Sequence, residues 1–140
     1  MNQTAISVVP LTYDEQLKCA SFDVHLPPDI PKTSHNLNVD LLFKHYPGLH
    51  RHRCLCGKHR SFYDEARQTE TAHLLEHLAV ELLVLSGVAR SVARGETGIP
   101  KSSESSLVEN RGYRLRFYGA DSLDCMEGIL RQAAHILDKI

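Results

Sequence analysis

The chain of 140 residues has no excess of either charge: 16 Lys and Arg stand against 17 Asp and Glu, a formal net charge of −1. This balance provides neither the basic footprint of a nucleic-acid binder nor a solvating acidic arm. A long hydrophobic run is also missing. The longest apolar stretch, Leu78 to Val88, is interrupted by Glu81 and is too short to cross a bilayer. Neither nucleic acid nor membrane is therefore expected as a partner. Met1-Asn2-Gln3-Thr4 lacks the basic and apolar regions of a signal peptide, so a cytoplasmic setting is expected. Cysteine is sparse, at positions 19, 54, 56 and 125. In a reducing compartment such cysteines are thiols or metal ligands and not a disulfide framework. No internal repeat is visible. The length suits one domain with its own core, expected over residues 1–140.

Histidine, by contrast, is abundant. Nine occur, concentrated between His45 and His77 and dispersed among other residue types, unlike an appended tag.

Local patterns define the expected elements. Ala5 to Val9 is β-rich and stops at Pro10, a short first strand. Cys19 to Leu26 alternates, with Ala20, Phe22, Val24 and Leu26 on one face, and Pro27-Pro28 ends it. His25 then faces solvent. Asn36 or Asn38 caps a helix through Val39–His45, closed by Pro47-Gly48. Residues 49–60 form an irregular, basic loop rich in Cys and His. A central helix follows from about Thr69 to Ser86, with Gly87 after it. Residues from about 95 to 112, rich in Ser and Gly, are expected as a flexible surface loop. Tyr113 to Tyr118 alternates as a strand. Asp121 or Ser122 caps a final amphipathic helix. The order predicts an α+β fold, a small, mostly antiparallel sheet packed against about three helices.

The central helix carries the chemistry. Each residue advances about 100°, so with His73 at zero, His77 lies near 40°, Glu81 near 80° and Glu76 near −60°. Leu74, Leu75, Leu78, Leu82 and Leu85 fall on the other side, a packing face. His73-Leu74-Leu75-Glu76-His77 is a His-x-x-Glu-His pattern, the reverse of the His-Glu-x-x-His zinc helix. Two imidazoles one turn apart converge on one metal, and Glu76 between them is placed as a proton-taking base. The bland reading is a buried helix with two hydrogen-bonded histidines and a solvated Glu76.

Catalytic zinc usually takes three protein ligands. Glu81 lies about 12 Å along the axis from His73, too far to share its ion, but can lean back to orient His77. The third ligand is sought in the loop, with Cys54 first and His52 and Cys56 behind it. Arg51 and Arg53 favour the ionised thiol. A separate zinc knuckle of Cys54, Cys56 and His59, with His52 as an optional fourth ligand, is the rival reading, although Cys-x-Cys spacing is unusual there. Cys19 and Cys125 read as core positions.

Pro47-Gly48-Leu49-His50-Arg51-His52-Arg53-Cys54, Phe62-Tyr63-Asp64-Glu65, the helix from His73 to Leu82, Leu85-Ser86-Gly87 and the strand Gly112 to Tyr118 together resemble the N-terminal domain of cyanophycin synthetases. The likeness runs from roughly Leu41 to the C-terminus. In that family this domain precedes two ligase modules that build a polymer with an aspartate backbone and arginine side chains. It helps hold the polymer, and in some members it carries a metallopeptidase-like site. The resemblance implies His73 and His77 as metal ligands, Glu76 as base and Cys54 as the loop cysteine. It does not extend into the ligase modules, so no ATP site is expected. S-ribosylhomocysteinases show a fainter likeness through His-x-x-Glu-His and a cysteine ligand.

Two functions are expected from this. One is a zinc-dependent hydrolase of amide or peptide bonds, acting on a peptide or peptide-like polymer. Glu76 is its base, His73, His77 and Cys54 its ligands, and Glu81 a support. Arg51, Arg53 and Arg94 are its candidate substrate-binding cations. The other is a non-catalytic module that binds a polymer or a partner. A separate ligase and a second copy of the chain are the protein partners left open.

Overall fold

The computed structural model describes residues 5–54, 61–87, 93–99 and 111–140. Among these residues four strands form one antiparallel sheet: β1 (Ser7–Asp14), β2 (Cys19–His25), β3 (Arg94–Gly98) and β4 (Gly112–Tyr118), in the order β1-β2-β4-β3. Among the described residues four α-helices accompany it: α1 (Val39–His45), a single turn α2 (Phe62–Glu65), α3 (Thr71–Leu85) and α4 (Leu123–Leu137). The α+β architecture expected from the sequence is the one observed. No helix among the described residues is long and apolar enough to cross a membrane.

Alternation decides which face of the sheet is buried. Ala20, Phe22 and Val24 of β2 pair with Phe117, Leu115 and Tyr113 of β4, and all six are buried. Between them, Asp23 and Arg114 form an ion pair on the other, wetter face. α3 and α4 pack together and join the buried face in a single core with Leu74, Leu75, Leu78, Leu83, Met126 and Leu130. Burying this set of large side chains, each worth about 1.5–3 kcal/mol, is what holds the layers together.

Two expectations about strands need correction. β1 does not stop at Pro10 but runs to Asp14, with its register shifting between Pro10 and Thr12. β1 is an edge strand, the place in a sheet where a proline is tolerated. The region expected as loop from residue 95 begins instead with β3, paired to β4 from Arg94↔Tyr118 to Gly98↔Arg114. Its sequence, Arg-Gly-Glu-Thr-Gly, has no apolar alternation and so carries no strand signal. Residues 100–110, including the Ser-rich run, lie outside the described residues.

The helix ends follow the local chemistry. Asn38 accepts from the Leu41 N–H and Ser122 from the Cys125 N–H, satisfying orphan donors at the starts of α1 and α4. α3 lacks a side-chain cap. Its entry is tied instead to the segment before α1. The Thr71 N–H donates to the Lys32 carbonyl, the Ser34 N–H to the Thr69 carbonyl, and the Thr69 N–H to the Ser34 hydroxyl.

Candidate functional site

α3 is buried almost all the way round. Leu74, Leu75, Leu78 and Leu82 face the core, as their spacing predicts, while Leu85 on the last turn is exposed. The polar side is buried too: Glu76 is 4% exposed, His77 7% and Glu81 4%. These carboxylates are not a solvated helix face. β3 covers Glu76, and the segment from Pro47 to Cys54 covers His77 and Glu81.

Two glycines allow this close cover. A Cβ on Gly95 would meet the Glu76 side chain at 2.7 Å, and a Cβ on Gly48 would run into the Glu81 carboxylate. Each glycine is where backbone passes directly over a buried acid.

His73 and His77 lie one turn apart with their Nε2 atoms 3.1 Å from each other. Cys54 Sγ stands 3.9 Å from the first and 3.7 Å from the second. These three atoms form a group that could hold a metal ion. In tetrahedral zinc sites, with about 2.05 Å to nitrogen and about 2.3 Å to sulfur, ligand nitrogens stand about 3.3 Å apart and nitrogen and sulfur about 3.6 Å. The observed triangle fits such a face. The far side of each ring is already engaged: His73 Nδ1 with the Thr69 hydroxyl at 2.8 Å, and His77 Nδ1 with His52 Nδ1 at 3.0 Å. Phe62 stacks on the His77 ring, centroids 3.8 Å apart, and fixes its plane.

Electrostatics keep the imidazoles uncharged. Burial, with His73 and His52 nearby, pushes the His77 pKa down to about 2. Burial also lowers that of His73, partly countered by Glu65. Neutral imidazole is the form that binds a metal. Glu76 moves the other way. Burial lifts its pKa to about 7, against the hydrogen bond donated by Thr97 at 3.0 Å. Its Oε2 lies 3.7 Å from His77 Nε2, beside the ligand triangle.

Glu81 requires a correction. Its carboxylate does not lean back to His77. Its Oε1 lies 3.0 Å from His52 Nε2, and His52 makes the contact with His77. His52, considered as a ligand, lies outside the Cys54, His73 and His77 group. The other two alternatives, Cys56 and His59, fall outside the described residues.

Arg51, Arg53 and Arg94 line a cavity of about 680 Å³ that also contains Cys54, His73, Glu76 and His77. The Arg94 guanidinium stacks over the Tyr118 ring at 3.8 Å. On the same wall, Glu65 Oε2 is buried with no hydrogen-bond partner among the described residues. The sequence patterns give no site role to Thr69, Thr97, Phe62, Gly48 or Gly95. Only Thr69, four residues before His73, had a spacing that could have flagged it.

A family model described as the Cyanophycin synthase-like N-terminal domain matches residues 21–120. No curated protein and no solved structure matches the chain. The matched span runs from β2 to β4 and includes every residue of the site; β1 and α4 lie outside it. The chain belongs to this family.

Proposed function

Starting from that membership, we propose that the chain is a zinc-dependent hydrolase of amide bonds in a peptide or peptide-like polymer. One observation carries the proposal: Cys54, His73 and His77 converge with ligand-like spacing beside the buried acid Glu76. Cys54, His73 and His77 would hold the zinc, which when bound supplies a Lewis acid and a water acidic enough to ionise near neutral pH.

The remaining work falls to the protein. Thr97 donates to Glu76 Oε1 and leaves Oε2 to handle the proton. With its pKa near 7, Glu76 can accept a proton from the attacking water and return one to the leaving amine. A base of ordinary pKa would be poorer at the second task. Arg51 and Arg53, on the rim of the same cavity, suit a substrate carboxylate.

Metal analysis and peptide hydrolysis test this together. About one zinc per chain and chelator-sensitive cleavage are expected. Protein that takes up no zinc, and whose melting temperature chelators leave unchanged, would falsify the proposal.

Family membership favours a second reading, a non-catalytic module that holds a polymer or a partner. In this reading the basic rim binds and Glu76 does no chemistry. Zinc-loaded protein that binds a peptide polymer but never cleaves it would select the second reading.

A further inference from the structure

We infer that Glu81, His52 and His77 form a hydrogen-bonded relay that fixes which His77 nitrogen is offered to the metal, so that His52 and Glu81 are positioning residues. The inference deepens the metal-site reading and rests on it for its function. The relay itself consists only of groups present in the chain.

The wiring follows from donor and acceptor counts. An ionised Glu81 can only accept, so His52 Nε2 donates across the 3.0 Å contact. Neutral His52 then has a bare Nδ1. That atom accepts from His77 Nδ1–H across the second 3.0 Å contact. His77 Nε2 is left as a lone pair, directed at the cluster it shares with Cys54 and His73. The reverse wiring needs a protonated Glu81 or a charged His52. It would place an N–H of His77 among the ligand atoms and block the site.

The structure supports the relay from both ends. Gly48 passes over the Glu81 carboxylate with no room for a Cβ, which seats that carboxylate against His52. His52 has extended backbone, and its carbonyl accepts from the Phe62 N–H while Phe62 stacks on His77. His52 and Cys54 stand two apart, so in extended chain both side chains turn to α3. The segment that delivers the thiol thus also delivers the relay.

Nitrogen-15 NMR of the histidine rings reads the wiring without any metal. In the metal-free protein, His77 should carry its proton on Nδ1 and His52 on Nε2. Glu81→Gln, nearly isosteric, should mix the His77 tautomers and weaken zinc binding about 10–100-fold in a chelator competition. Gly48→Ala, which alters no relay residue, should act in the same direction. Adding Glu81→Gln to His52→Ala should weaken zinc no further than His52→Ala alone. A parent His77 protonated on Nε2 would overturn the relay. So would a Glu81→Gln protein with unchanged tautomers and unchanged zinc affinity. If the tautomers are as stated and the parent binds no zinc, the relay stands and the metal-site reading falls.

Discussion

Glu76 shows how far one residue is defined by what lies over it. On an open helix it would be an ordinary surface acid. Beneath Gly95, and with Thr97 donating to one oxygen, it is buried with a pKa near 7. Glu76→Gln keeps the shape and removes the proton-handling group. It should retain zinc by metal analysis and lose about 10²–10⁴-fold in peptide turnover. Unchanged turnover would remove Glu76 from the chemistry. Gly95→Ala pushes a methyl group into the same carboxylate. The overpacking should cost about 1–3 kcal/mol in urea denaturation. A variant as stable as the parent would show that β3 does not press on α3 as described.

At the scale of elements, α3 is a core helix that holds its chemistry inside. Its start is fixed by the Ser34 hydroxyl, which donates to the Ala66 carbonyl and accepts from the Thr69 N–H. Ser34 is fully buried, so Ser34→Ala leaves both groups without a partner and should cost about 1–3 kcal/mol. Denaturant melts measure this directly, and an unchanged midpoint would contradict the anchoring role. The pairs of elements differ in how readable they were. α1, α4 and the alternation of β2 and β4 follow from apolar spacing and caps near in sequence, whereas the pairing of β2 with β4, about 90 residues apart, does not. β3 does not, because its five residues carry no alternation and are stabilised by β4 and by contact with α3.

For the molecule as a whole, the buried ionisable groups predict an acid response of the metal-free protein. The unfolded chain protonates His77 below about pH 6.5, but the folded chain does not until about 2. Stability from this group is therefore lost as pH falls below about 6.5, by up to about 1.4 kcal/mol per pH unit. His73, also lowered, acts in the same direction. Glu76 opposes them. Its folded pKa of about 7 exceeds the unfolded 4.5, so folding takes up a proton between those values and stability rises as pH falls from 7 to 4.5. Below about 4.5 that gain is complete and the histidine loss continues alone. Thermal melts should show Glu76→Gln losing stability from about pH 6.5, where the parent is partly protected until about 4.5. Identical acid limbs would mean that Glu76 is not protonated in the folded state.

The sequence by itself determined the α+β class, the course of α1, α3 and α4, and the His-x-x-Glu-His set on one helix. Apolar periodicity and caps are local codes, and residues one turn apart meet in any helix. Cys54 is the first choice in a loop with several candidate ligands, and the structure places its sulfur beside both histidines, while Cys56 and His59 lie outside the described residues. Only the tertiary structure decided that the polar side of α3 is buried, that Glu81 reaches His77 through His52, and that β3 roofs Glu76. These depend on which backbone passes over the helix and how closely. Gly48 and Gly95 set that distance by lacking a side chain, and a missing atom gives no pattern along the chain.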